Sequence, residues 1–141
     1  MIDLALAARM TGAALEQATG LGAVVSAAVV DQGGHLVHFQ RMDRAEIAGP
    51  TLAVDKAYTA VAHRVATAEL GPLTAPGGPL QGMHANGGGR YVVFAGGLPC
   101  WNGDVVVGGI GVSGGTAEED AACAAAAFAV FDAAVQEGDR P

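Results

Sequence analysis

Hydrophobic and polar positions change period several times along the chain, and each change marks an element. Leu6, Met10, Ala13, Ala14 and Gln17 recur at helical spacing on one side of residues 3–19. Asp3 stands where an N-cap belongs, and Gly20 and Gly22 where a helix stops, so a helix over 3–19 is expected. VVSAAVVD and HLVHFQR are β-branched or alternating runs joined by QGG, which predicts paired strands at 24–30 and 35–41. Leu52, Ala53, Ala57, Ala60, Val61 and Val65 return to helical spacing over 47–67. Pro50 is tolerated only in a first turn, which puts the start of that helix near 48–50.

From Gly71 to Gly89 the stretch GPLTAPGGPLQGMHANGGG is too rich in glycine and proline for a long element. A loop of this length is expected to line a ligand pocket or to make a subunit contact. RYVVFAGGLPCWNGDVVVGGIGV reads as strand, turn, strand, an Asn102-Gly103 hairpin turn and a further strand. Thr116 and Glu119 form a T-x-x-E capping box ahead of an alanine-rich helix running to about Val135. The predicted order is α β β α β β β α. That is an α+β fold: an antiparallel sheet of about five strands flanked by helices.

Composition narrows the function classes. With 141 residues, 51% of them hydrophobic, a single domain over 1–141 is expected. A net charge of −7, no basic run and few aromatics leave neither the electrostatics nor the stacking platforms that nucleic-acid binding needs. MIDLALAARM lacks a basic n-region and a cleavage motif, so a cytoplasmic location is expected. The alanine run from Ala121 to Phe131, bounded by Asp120 and Asp132, is too short to span a bilayer, and no membrane partner is expected. Cys100 and Cys123 belong to no zinc or haem-attachment motif and are expected to be buried thiols.

Several motifs bear on chemistry. GIGVSG, residues 109–114, matches G-x-G-x-x-G literally, but it ends the last strand instead of opening a βαβ unit, which argues against dinucleotide binding. Ser113, Gly114 and the start of the last helix could hold a carboxylate, in competition with Glu118, Glu119 and Asp120. His35 and His38, three apart on a strand, should face opposite ways, and no histidine pair has metal-ligand spacing. A metal site within one chain is therefore not expected. An axial haem ligand needs only one donor, for which His63, His84 and Met83 are candidates. Lys56, Thr59 and His63 share one helical stripe. Such a stripe is ordinarily the solvated side of a helix. Lys56, however, is the only lysine beside six arginines, and a compact ammonium can lose its proton when desolvated, where a guanidinium cannot. It reads either as an anion holder or as a general base. Arg41, Asp43 and Arg44 read as surface ion pairing or as a clamp for a carboxylate or propionate.

The segments VVDQGGHLVHFQRMDRA, LAVDKAYTA, GGPLQG and GGLPCWNGDVVVGGIGVSGGTAEEDAACAAAA together resemble the GlcG/HbpS-like family, labelled a haem-degrading domain and found as the C-terminal domain of PduO-type proteins. The resemblance runs from about residue 3 to residue 135. It implies a profilin-like α/β sandwich, homo-oligomeric assembly and, in some members, a haem or corrinoid-related ligand. The family's D-x-G-G falls on Asp31, Gly33 and Gly34, its R-M-D on Arg41, Met42 and Asp43, its D-K-A-x-T-A on Asp55 to Ala60, and its G-V-S-G on Gly111 to Gly114. Arg44 replaces the glycine that commonly follows R-M-D.

The resulting expectation is a homo-oligomeric small-ligand-binding protein, its ligand haem or a related tetrapyrrole. Arg41, Asp43, Lys56, Asn86, Ser113 and Gly114 would surround the ligand, with His63, His84 or Met83 as axial donor. The alternative is an enzyme acting on a small carboxylate or carbonyl compound, with Lys56 as cation or base beside Thr59 and Asp55, which requires a desolvated Lys56 in a concave site. A third reading is a structural or sensory assembly without catalysis.

Overall fold

Asp3 accepts a hydrogen bond from the Leu6 N–H at 2.8 Å and opens helix α1 (Leu4–Leu21), which ends at Gly22 in the left-handed conformation. The computed structural model describes residues 1–138. Strands β1 (Ser26–Asp31) and β2 (Leu36–Arg41) follow as a hairpin, whose turn is held by the Asp31 carboxylate accepting from the Gly33 and His35 N–H groups at 2.9 Å. Helices α2 (Ala48–His63) and α3 (Thr67–Thr74) come next, then 3-10 turns at Met83–Ala85 and Gly87–Gly89. The hairpin β3 (Gly97–Asn102) and β4 (Val105–Ser113) leads into α4 (Ala117–Gly138). The capping box forms as expected: Glu119 accepts from the Thr116 N–H at 2.9 Å and Thr116 from the Glu119 N–H at 3.2 Å.

The strands form one antiparallel sheet in the order β2-β1-β4-β3. Cross-strand partners define its two faces. Ala27, Val29, Ile110, Val112 and Cys100 face α1 and α4 and form the main apolar core with Met10, Ala14, Cys123, Ala127 and Phe131. Helix α4 is long and apolar enough to pass for a membrane span, yet it packs as a wall of this core against α1, β3 and β4.

The opposite face carries Ser26 and Ala28 of β1, Gly109 and Gly111 of β4 and Gly97 of β3, with α2 lying across them. A Cβ at Gly111 would overlap the Ala53 carbonyl oxygen, one at Gly109 would sit 2.8 Å from the Ala57 oxygen, and one at Gly97 would sit 2.6 Å from the Lys56 oxygen. Ala53, Ala57 and Ala60 are fully buried on the helix side of this seam. Gly109 and Gly111 of GIGVSG are thus a helix-packing surface, which is the physical reason the dinucleotide motif is only apparent.

Three expectations need correction. The sheet has four strands instead of five, because residues around Tyr91–Val93 do not pair in it. The Val92 N–H instead donates to the Thr59 hydroxyl on α2 at 3.0 Å. The helix expected over 47–67 stops at His63, where Arg64 turns left-handed at φ +54, and α3 then occupies the start of the expected loop. Thr67 sets that restart: its buried hydroxyl accepts from the Gly97 N–H at 2.9 Å, tying α3 to β3. The hairpin turn lies one residue later than Asn102-Gly103: Asn102 ends β3, leaving Gly103 and Asp104 in the loop.

Gly111→Ala should lower stability by about 1–3 kcal/mol or more through overpacking. Gly12→Ala, where a Cβ meets nothing within 4 Å, should be neutral or stabilising by up to about 1 kcal/mol; urea unfolding of both variants checks the contrast. Burial pushes the Cys100 thiol up to about 12 and the Cys123 thiol up to about 11, the latter aided by Asp120 and Glu119. Both should ignore Ellman's reagent in the native protein near neutral pH and react after denaturation.

Candidate functional site

Lys56 points into the protein and is 1% exposed. Its Nζ donates to the Val112 carbonyl at 2.9 Å, the Ser113 Oγ at 3.2 Å and the Asp120 Oδ2 at 3.1 Å. The Phe94 ring lies 5.0 Å away, centroid to Nζ. Three donors meet three acceptors, so the ammonium is satisfied without a ligand. Burial lowers the Lys56 pKa and raises that of Asp120, and each charge partly offsets the shift of the other. Asp120 Oδ1 also accepts from the Gly115 N–H at 2.9 Å. The anion expected at the start of the last helix is therefore the chain's own carboxylate.

Thr59 of the D-K-A-x-T-A motif is buried as well, and Asp55 is half-buried. Asp55 pairs with Arg90 Nε at 3.0 Å. The Thr59 hydroxyl donates to the Asp55 carbonyl at 2.7 Å while accepting from Val92. Arg90 lies 3.6 Å over the Tyr58 ring, Tyr58 stacks with Tyr91, and His63 meets the Tyr91 ring edge-on with centroids 4.5 Å apart. His63 Nε2 is buried without a hydrogen-bond partner. Lys56 and Thr59 of the predicted stripe are thus interior residues of α2, while His63 is half-buried.

The other expected residues lie apart from this line. Arg41 donates through Nη2 to the Ala45 carbonyl at 2.6 Å, and Asp43 and Arg44 are exposed, Arg44 at φ +67. Asn86 is exposed and accepts from the Gly87 N–H at 2.9 Å. Met83 is half-buried and His84 exposed in the first 3-10 turn. Gly114 adopts φ +135, where a Cβ would lie 2.6 Å from the Val24 carbonyl oxygen. The structure brings Lys56 to Ser113, and Asp55 and Thr59 to Arg90. Sequence reasoning missed Asp120 as the partner of Lys56 and Arg90 as the partner of Asp55, because each pairing spans a long stretch of chain.

Access lies elsewhere. An open groove of ≈ 400 Å³ lies between β2 and α2, lined by Leu36, Phe39, Pro50, Thr51, Val54 and Asp55. It exists because α2 lies over β4, β1 and β3 and barely covers β2. A bulge shapes it: Ala28 pairs with Phe39 but Val30 with Leu36, so the extra residue puts Leu36 and Phe39 on the same face. Strict alternation along HLVHFQR would have separated them. The second cavity, ≈ 280 Å³, lies among Met1, Leu6, Phe131 and Val135, and the third, ≈ 150 Å³, beside Ile2 and Val37. Lys56 lines none of the three.

A sheet with helices on both faces, a buried Lys56–Asp120 pair and an open, mainly apolar groove define a small α+β domain. The chain belongs to the family of HbpS-like haem-degrading proteins, whose model matches residues 2–129. It is similar to the corrinoid adenosyltransferase PduO of Salmonella typhimurium, at 37% identity over 124 residues, which is 88% of this chain but 37% of that protein. Among solved structures it is similar to protein ORFY of Klebsiella pneumoniae, with a TM-score of 0.91, 36% identity and coverage of 94% of this chain and 91% of that one. A PduOC–haem complex gives a TM-score of 0.83 at 38% identity, covering 86% of this chain and 88% of that one.

Lys56→Met leaves Asp120 buried and unpaired, and should cost about 3–5 kcal/mol at neutral pH. The loss should shrink as pH falls. In the variant Asp120 keeps a folded pKa above its ordinary 3.8, so the native state binds more protons than the unfolded one between those values. Adding Asp120→Asn should recover part of the loss at neutral pH; urea unfolding across the acid range measures both effects.

Proposed function

We propose that the protein is a homo-oligomeric carrier or sensor of haem or a related tetrapyrrole. The observation that carries this reading is the open apolar groove between β2 and α2, in a chain 38% identical to one solved as a haem complex. A volume of ≈ 400 Å³ falls in the range of about 300–1,000 Å³ typical of small-molecule sites.

The residues present fit the group in two of three respects. Leu36, Phe39, Pro50 and Val54 offer apolar contact to a planar macrocycle, and Arg90, paired with the groove residue Asp55, provides a cation for its carboxylates. The groove lining itself holds no histidine, methionine or cysteine, only the oxygens of Thr51 and Asp55. An axial donor therefore has to come from outside it. Of the three donors named from the sequence, exposed His84 is the most accessible, whereas His63 has its Nε2 sealed in the interior. When bound, the iron supplies ligand or redox chemistry; this chain's part is to hold the macrocycle and restrict water.

An enzyme using Lys56 as general base has less support. The residue is desolvated, as that reading requires, but its ammonium is bonded to three acceptors and lines none of the three cavities described above.

Haemin titration should give a saturable Soret shift. His84→Ala should change the position of the bound band and His63→Ala should leave it in place. A wild-type protein with no saturable shift overturns the proposal.

A further inference from the structure

We infer that Asn86 is a site of spontaneous covalent modification, at which the Gly87 backbone nitrogen closes on the Asn86 carboxamide and leaves aspartate or isoaspartate in its place. The modification itself does not depend on any ligand; its further effect, on the groove, rests on the tetrapyrrole reading.

Both asparagines of the chain, Asn86 and Asn102, are followed by glycine, so the nucleophile in each pair carries no side chain to hinder its approach. Both pairs are also exposed. Backbone bonding is what separates them. Asn102 is the last residue of β3 and pairs with Val105 across the hairpin, so turning its backbone into a ring breaks the end of a ladder. Asn86 lies where two 3-10 turns meet, and its backbone bonds are local: its N–H donates to the Met83 carbonyl at 2.9 Å and its carbonyl accepts from the Gly89 N–H at 3.0 Å. The Gly87 N–H donates to the Asn86 Oδ1 at 2.9 Å, which sets that nitrogen against the group it attacks.

The step balances with water as its only co-reactant. The Gly87 nitrogen gives its proton to solvent and bonds to Asn86 Cγ; the Cγ–Nδ2 bond breaks, and that nitrogen takes up a proton and leaves as ammonia. Water then opens the cyclic imide at either carbonyl, giving aspartate or isoaspartate, each with a new negative charge. Isoaspartate also adds a methylene to the main chain. The turn it disturbs is the one that presents Arg90. The Arg90 N–H donates to the Gly87 carbonyl at 3.4 Å, and its side chain pairs with Asp55 of the groove at 3.0 Å while lying over the Tyr58 ring. A longer backbone at position 86 moves these bonds out of register, so the cation beside the groove loosens as the residue converts.

Peptide mapping by mass spectrometry of the full chain, held folded in warm, mildly alkaline buffer and in parallel in urea, tests the site. Trypsin cuts after Arg64 and Arg90 and so parts the two Asn-Gly pairs into different peptides. In the folded protein the Asn86 peptide should convert at close to its rate in urea, whereas the Asn102 peptide should be slowed by about tenfold or more. Asn86→Ser should abolish the main acidic species on anion exchange, and Asn102→Ser should leave it. An Asn86 that stays an amide while its urea control converts, or that converts no faster than Asn102, overturns the site. Fresh and isoaspartate forms, separated by anion exchange, are then titrated with haemin. A fall in affinity of about threefold or more in the isoaspartate form is expected. Equal affinity overturns the link to the groove while the modification stands. Fresh protein that fails to bind haemin at all overturns the tetrapyrrole reading and leaves the modification in place.

Discussion

The seam between α2 and the glycines of the sheet is the constraint on which the rest depends. Gly97, Gly109 and Gly111 remove the side-chain layer that ordinarily separates helix from sheet, so alanines of α2 rest on strand backbone. A helix held that close can send one long side chain through the sheet's end. Lys56 does so, reaching past β4 to the carboxylate of Asp120 on the far helix. The buried ion pair ties α2, β4 and α4 at one point. Such a pair is weak as a source of net stability and strong as a selector of register, because a misplaced α2 would leave two buried charges apart.

That lysine, rather than arginine, occupies position 56 follows from the same seam. A compact ammonium offers three donors around one atom and here finds a carbonyl, a hydroxyl and a carboxylate. A planar guanidinium carries five donors in a fixed fork, and this site, closed by the Phe94 ring and by backbone at Gly96, has no room to satisfy them. The unusual lysine is thus accounted for by packing geometry and requires no substrate to explain it.

Legibility from sequence divides along the same line. Local signals were readable: the Asp3 cap, the Thr116–Glu119 box, the turn after Asp31 and the α β β α opening all rest on neighbours within a few residues. The family motifs were readable too, as a set of residues. Their roles were not, since each is settled by a partner far away: Asp120 for Lys56, Arg90 for Asp55, Val92 for Thr59. The β2 bulge escaped for a different reason. It depends on one extra residue opposite β1, and no composition signal marks Val37 as unpaired.

Lys56 and Thr59 of the polar motif are committed to holding the fold. The same placement of α2 that buries Lys56 leaves β2 half covered, and the bulge then turns Leu36 and Phe39 toward the gap. The apolar groove therefore follows from the placement of α2 together with the β2 bulge. A ligand matched to such a surface is flat, largely apolar and charged at its edge, and it binds by enclosure more than by many directed hydrogen bonds.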